Sequence, residues 1–219
     1  MIRLHHIPFS RSFRIMWLLE EMGLTYDVAT YSITDGSLRS EDYLKLAPSG
    51  RAPALEIDDT VIFESPAITE YLCETRPEHG FGRAAGDPER IAYLQWLSFA
   101  ETQASTIASL NLQMVFLRPP AKPSPTVVKL DVARLKSSVR VLDAALGDQE
   151  WLLPSGFSGA DTMMGFNLFA APFFVDLTPF ANVQAYLARI EAREGFQAAR
   201  AKDGPQRFYD QDFYPVPSA

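Results

Sequence analysis

The chain has a single cysteine, Cys73, and three histidines in 219 residues. One cysteine can close no internal disulfide and form no CxxC dithiol, which excludes a disulfide-stapled scaffold and dithiol redox chemistry and points to a reducing compartment. Cys73 falls inside a helical pattern and is expected as a small buried hydrophobe. Positive charge is also short: 20 Lys and Arg stand against 27 Asp and Glu, for a formal net charge of -7 and an isoelectric point near 5.0. That balance leaves no basic footprint for nucleic acid or an anionic membrane, so neither is expected as a partner. No run approaches the ~18 apolar residues of a membrane span. Arg3, His5 and His6 stand where an export signal would have its apolar core, so a cytoplasmic protein is expected.

What is present divides into two halves, each long enough to bury its own core. Residues 2–6 are strand-like. Phe13, Met16, Trp17 and Glu20 have helical spacing, with Gly23 as a stop. Tyr26 to Ile33 is β-branched and aromatic, Ser40 caps a short helix ending before Pro48, Ala54–Ile57 and Val61–Phe63 form a hairpin, and Pro66 to Arg76 is a helix. The order βαβαββα predicts a four-stranded mixed sheet, because the first βαβ needs a crossover and the hairpin does not. Pro77 to Pro88 lacks an apolar period and is expected as a linker. Beyond it the pattern is helical: one long helix from Ile91 towards Phe116, stopped by Pro119, Pro120, Pro123 and Pro125, then another over Val127–Leu146. Ser158 and Asp161 have the spacing of a capping box. The aromatic tail from Phe208 to Tyr214 is too apolar for disorder and is expected to pack back. An α+β domain over residues 1–77 and an all-α domain over 88–219 follow.

The stretch from Arg51 to Ile68 carries the most chemistry. Pro53 at a strand start is expected to mark a sheet edge whose free backbone can pair with a ligand amide. Ser65 is expected as an N-cap with Pro66 at the first helical position, leaving backbone N–H groups for a carboxylate. In so acidic a chain an anion needs local cations, since the first 76 residues hold 7 Lys and Arg against 12 Asp and Glu.

Four stretches, in order and spacing, resemble the cytosolic glutathione transferases. They are Ser10-Arg11-Ser12-Phe13-Arg14 with Trp17-Leu18-Leu19-Glu20-Glu21, Gly50-Arg51-Ala52-Pro53-Ala54-Leu55, Glu64-Ser65-Pro66-Ala67-Ile68, and Phe157-Ser158-Gly159-Ala160-Asp161. The resemblance implies a thioredoxin-like N-terminal domain that binds glutathione as co-substrate, followed by a helical domain, with no metal. It implies a cis Ala52–Pro53 bond with Ala52 opposite the cysteinyl amide. It places Glu64 and Ser65 at the γ-glutamyl end, and Arg51, with Lys45 as a weaker candidate, at the glycyl carboxylate. Serine-type members put their thiolate donor at Ser10, with Ser12 as competitor; each is also an ordinary N-cap of the first helix.

The same resemblance implies a homodimer in which Glu101 reaches the partner's γ-glutamyl ammonium. It also implies a pocket for a small hydrophobic electrophile, drawing on Phe9, Leu110, Met114, Phe116, Leu117, Phe208, Tyr209 and Phe213. His5 and His6 replace the tyrosines of tyrosine-type members. Because a strand alternates faces, only one of them is expected to point inward, where it is a half-buried neutral imidazole or an acceptor of the thiol proton. Two other readings share the site: a glutathione-dependent reductive or ether-cleaving enzyme, and a non-catalytic binding protein.

Overall fold

A computed structural model describes residues 1–217; the last two residues of the expected C-terminal domain lie outside the described residues. Two compact units are present, one of Met1–Arg90 with Glu191–Arg207, the other of Ile91–Ile190 with the segment from Phe208.

The N-terminal unit is built on β1 (Ile2–His6), β2 (Asp27–Thr30), β3 (Ala54–Ile57) and β4 (Thr60–Phe63), in the spatial order β2-β1-β3-β4. β1 and β2 are parallel; β1–β3 and β3–β4 are antiparallel. The mixed sheet is therefore as expected, but Pro53 does not mark an edge. It precedes β3, whose Ala54 is paired with both His5 and Phe63, and Ala52, two residues before Ala54, lies outside the ladder. β2 is shorter than its β-rich sequence, because only Asp27–Thr30 finds partners on β1.

α1 (Ser12–Glu21) buries every residue from Ser12 to Leu19. It ends in a left-handed Gly23 (φ 61°), with Gly23 N–H bonded to Glu20 O and Leu24 N–H to Leu19 O, both at 3.0 Å; a glycine at this position satisfies the last carbonyls without a Cβ penalty. α2 (Glu41–Leu46) is capped as expected, Ser40 Oγ accepting from Tyr43 N–H. α3 (Ser65–Thr75) starts one residue earlier than expected. Ser65 is inside the helix rather than its N-cap, and Glu64 holds the cap position at φ 73°, ψ 116° with no side-chain cap bond. Cys73 is buried on α3. The expected linker is ordered: buried Arg83 donates to the carbonyls of Gly80 (3.0 Å) and Gly82 (2.7 Å) and pairs with Glu89 (3.0 Å).

Glu191–Arg207 joins this unit through α8 (Glu194–Asp203). Phe196 sits edge-on to Phe13 (5.6 Å) and Trp17 (5.1 Å) of α1. Arg193 grips Glu21 with two bonds of 2.8 and 2.7 Å, a bidentate geometry stronger than a simple ion pair.

In the other unit α4 (Arg90–Asn111) widens into a π-helical turn over Leu112–Phe116. Pro125 does not stop the first long helix; it opens α5 (Pro125–Leu146) behind the capping hydroxyl of Ser124, a position where proline's missing N–H costs nothing. α6 (Gly159–Ala170) is almost wholly buried and tied to α4 by Asn167 Nδ2 donating to Ala100 O at 2.8 Å. The Ser158–Asp161 capping box forms, and Asp161 also accepts from Tyr186 of α7 (Ala181–Glu191) at 2.8 Å. The tail packs back: Tyr214 N–H reaches Phe173 O at 2.8 Å and Tyr209 stacks on Phe173 at 3.8 Å. Among the described residues no helix is long and apolar enough to cross a membrane.

Candidate active site

A cavity of about 320 Å³ opens where the β1–α1 turn faces the loop before β3, with Ser10, Arg11, Arg39, Gly50, Arg51 and Ala52 on its wall. That volume is in the range of small-molecule sites. A smaller notch adjoins it, sharing Arg11, Arg51 and Ala52 and adding Pro53, Glu64 and Ser65. Three guanidinium groups, from Arg11, Arg39 and Arg51, thus supply the local positive charge that the acidic chain needs to hold an anion. Of these three, only Arg51 is expected from the sequence.

The loop before β3 is held from both sides. Ala52–Pro53 is cis. Tyr43 of α2 donates its hydroxyl to Arg51 O at 2.9 Å. Burial, with Tyr31 beside it, pushes the Tyr43 hydroxyl up to about 12, so it remains a donor at neutral and mildly alkaline pH. Gly50 adopts φ 61°, and a Cβ there would come within 2.6 Å of the Arg39 guanidinium and 3.0 Å of Leu38 O; only glycine accommodates both the conformation and the approach.

At the start of α3, Glu64 is exposed with a positive φ that non-glycine residues seldom adopt. Such an outlier marks a constrained position of the kind found at ligand clamps. Ser65 is 2 % exposed, and its Oγ accepts from the buried Arg14 guanidinium at 3.0 Å. This cation behind the α3 start escaped the sequence reading. Its signal was there, since Arg14 follows Phe13 on a helix whose neighbours are apolar, and a buried arginine must be paired.

The β1–α1 turn places Ser10 and Ser12 differently. Ser10 is half-buried on the cavity wall, whereas Ser12 is fully buried behind it. Their Oγ atoms are 2.8 Å apart. Neither holds the N-cap position of α1, which is Arg11 with no side-chain cap bond. Both histidines are buried, correcting the expectation that only one would turn inward. Each face of β1 is covered: His5 meets Tyr31 (3.0 Å) and Glu56 (2.8 Å), while His6 meets Ser12 (2.8 Å) and Asp203.

Residues 1–74 match the family model described as "Glutathione S-transferase, N-terminal domain". Residues 1–74 thus form a glutathione S-transferase N-terminal domain, and the likeness to glutathione transferases extends over most of the chain. The chain is similar to glutathione S-transferase 3 of Schizosaccharomyces pombe, 28% identical over 220 residues, covering 92% of this chain and 88% of that one. Among solved structures it resembles a glutathione transferase of Methylococcus capsulatus (26% identity, TM-score 0.82, 93% of this chain and 98% of that one). It also resembles the glutathione transferase URE2P6 of Phanerochaete chrysosporium in complex with oxidized glutathione (26% identity, TM-score 0.82, 93% and 97%).

Of the residues anticipated for a glutathione transferase, Ser10, Arg51 and Ala52 share the cavity wall, and Pro53, Glu64 and Ser65 share the adjoining notch. Lys45 does not join them; it is exposed on α2 and pairs with Glu41 (3.0 Å) and Asp42 (3.5 Å). Phe9 is half-buried in the β1–α1 turn with φ 54°. In the helical unit, Glu101 is half-buried on α4, and Leu110 is fully buried and therefore core. Met114 and Leu117 are half-buried at the wide turn after α4, Phe208 lies 6.0 Å from Phe116, and Phe213 is exposed.

Proposed function

We propose that this chain is a glutathione transferase of the serine type, holding glutathione in the cavity of its N-terminal unit and presenting the thiolate through the Ser10 hydroxyl to a small hydrophobic electrophile. The observation that carries this reading is the half-buried Ser10 hydroxyl on the same wall as Ala52 and Arg51, next to the Glu64–Ser65 notch. Glutathione has two carboxylates and one ammonium, and the site has matching groups at its two ends. Arg51, with Arg11 and Arg39, receives the glycyl carboxylate. Ser65, backed by Arg14 at 3.0 Å, receives the γ-glutamyl carboxylate, and Glu64 faces the ammonium. The Ala52 backbone, ahead of the β3 ladder, pairs with the cysteinyl amide.

The thiolate is the attacking species, and a hydroxyl donating to it lowers the thiol's pKa. A hydrogen bond to a charged acceptor is worth about 1.5–3 kcal/mol, or about one to two pKa units. The electrophile draws on apolar groups of the helical unit, Met114, Leu117, Phe208 and Phe213. The protein acts as a homodimer, for which an apolar groove of about 570 Å³ between α4 and α5, lined by Leu94, Trp96, Phe99 and Val141, offers the contact face; Glu101 on α4 then serves the partner's site. We assign residues 1–77 to glutathione and the residues from 88 to 219, apart from Glu191–Arg207 of the N-terminal unit, to electrophile and dimer contacts. A lone buried cysteine suits the cytoplasm.

The test is an ultraviolet titration of bound glutathione with the wild-type protein and with Ser10→Ala. Thiolate absorbance rising well below the pKa of free glutathione, and returning about one to two units in the variant, supports the reading. Binding with no shift in the wild type would refute the catalytic role and leave a binding protein.

A further inference from the structure

Behind Ser10 a line of hydrogen bonds runs from the cavity wall into the interior. Ser10 Oγ is 2.8 Å from Ser12 Oγ, and Ser12 Oγ is 2.8 Å from His6 Nδ1. His6 Nε2 lies 3.2 Å from the backbone O of Asp203 and 3.3 Å from its Oδ1. Asp203 Oδ1 also accepts from Phe9 N–H at 3.1 Å, and its Oδ2 pairs with Arg200 at 3.0 Å. Ser12, His6 and Asp203 are each no more than 1 % exposed.

The donors and acceptors on this line can be ordered. A carbonyl and a carboxylate oxygen only accept, so Nε2 of a neutral His6 carries the hydrogen and Nδ1 is a bare lone pair. Ser12 therefore donates to Nδ1, at 2.8 Å, rather than to Ile7 O at 3.2 Å. Its oxygen then accepts from Ile7 N–H (3.1 Å) and from Ser10. Ser10 in turn accepts from Ser12 N–H at 3.3 Å and keeps a lone pair for the cavity. With His6 neutral, every hydroxyl points away from the site, and a thiol there meets an acceptor.

We propose that Ser12 and His6 form a proton relay behind Ser10, with Asp203 as counter-ion, that carries the proton of a bound thiol inward and turns the Ser10 hydroxyl towards the sulfur. The proposal rests on the reading that glutathione binds with its sulfur at Ser10. The step balances without a co-reactant. The S–H bond breaks and its proton joins Ser10 Oγ; the former Ser10 proton passes to Ser12 Oγ, and the former Ser12 proton to His6 Nδ1. A neutral thiol and a neutral imidazole become a thiolate and an imidazolium, and all three hydroxyl and ring hydrogens now point outward. The Ser10 hydroxyl ends as the donor that the thiolate requires.

Asp203 makes the charge tolerable. A buried imidazolium is costly unless a counter-ion faces it, and in a water-excluded interior the attraction is large. Asp203 and, beyond it, Arg200 are the charged groups on the α8 side of His6. From α1 His6 meets the hydroxyl of Ser12, while the charged Arg14 of that helix is bonded to Ser65. Thr30 is its register partner on β2, and His5 engages Glu56 and Tyr31 separately. Ser12, His6 and Asp203 touch no substrate and are positioning residues; Ser10 alone meets the sulfur.

The test uses the full-length protein with its histidine rings labelled with nitrogen-15, three rings in all. Spectra are recorded near pH 8, where an ordinary imidazole of pKa ~6.5 is neutral. Saturating glutathione should convert His6 to the imidazolium pattern, while S-methylglutathione, which has no thiol proton, should leave it neutral. Asp203→Asn keeps an oxygen to accept from Phe9 N–H. It should lower the ratio of thiolate to thiol about tenfold at fixed pH and move the kcat profile up by about one pH unit. Thiolate absorbance with His6 still neutral, or an Asp203→Asn profile identical to wild type, overturns the relay while leaving the glutathione reading intact. Failure of glutathione to bind the wild type overturns that reading and the relay with it.

Discussion

Replacing Asp161 with alanine should cost the helical unit about 3 kcal/mol, most of it from backbone amides that have no second choice. Its Oδ2 accepts from Ser158 N–H at 2.8 Å and from the Ser158 hydroxyl at 3.0 Å. Its Oδ1 accepts from Leu152 N–H at 3.1 Å and the Tyr186 hydroxyl at 2.8 Å. All four donors are buried. In Asp161→Ala the two hydroxyls can rotate towards other acceptors, but the two amides cannot move without unmaking the turn and the start of α6. Each orphaned buried donor costs about 1–3 kcal/mol, so the pair sets a range of about 2–6. Against this stands the cost of holding the carboxyl in the interior, where burial pushes its pKa above the usual range. That offset places the expected loss in the lower half, near 3 kcal/mol. Ser158→Ala is the control: it removes one donor, leaves Asp161 three others, and should cost about 1 kcal/mol, as capping hydroxyls usually do. Equilibrium urea unfolding followed by tryptophan fluorescence measures both, with Trp151, 5.8 Å from Tyr186, as the nearby reporter. The reasoning fails if Asp161→Ala loses no more than Ser158→Ala, which would mean that the two amides find acceptors elsewhere.

Tyr43→Phe removes one neutral hydrogen bond to the Arg51 carbonyl, worth about 0.5–1.5 kcal/mol, and should weaken glutathione binding by about two- to tenfold through a looser loop. Because burial pushes the Tyr43 hydroxyl up to about 12, calorimetry should find the same loss at pH 6 and pH 9; a loss confined to one pH would contradict the loop-anchor role. Gly50→Ala must place a Cβ 2.6 Å from the Arg39 guanidinium at φ 61°, and should reduce stability by about 1–2 kcal/mol while raising the glutathione dissociation constant. An alanine variant with wild-type affinity would show that the Arg39–Arg51 wall is not the anion site.

The elements were legible in the sequence wherever local chemistry decides them. Period-two and period-3.6 patterns, Gly23, the Ser40 cap and the Ser158–Asp161 box each act within a few residues, and each appears where expected. Errors of register arose at proline, which both ends and begins helices: Pro125 opens α5, and Pro66 is the second rather than the first residue of α3. Motif order also singled out Ser10, Arg51 and Glu64–Ser65, which line one cavity and its adjoining notch, because short loops carry their own turn chemistry.

Local sequence specifies the order of strands and helices, the acidic balance, and a set of loop residues suited to a peptide-like anion. Packing in three dimensions sets Arg14 behind Ser65, brings Arg11 and Arg39 to Arg51, and leaves Lys45 with its own helix. Only it returns residues 191–207 to the N-terminal unit, so that Asp203 meets a histidine 197 positions earlier. The reason is physical. Periodicity and capping report on neighbours along the chain, whereas the partner of a buried charge is chosen by what the folded backbone brings within about 3 Å of it, and no local pattern encodes that choice.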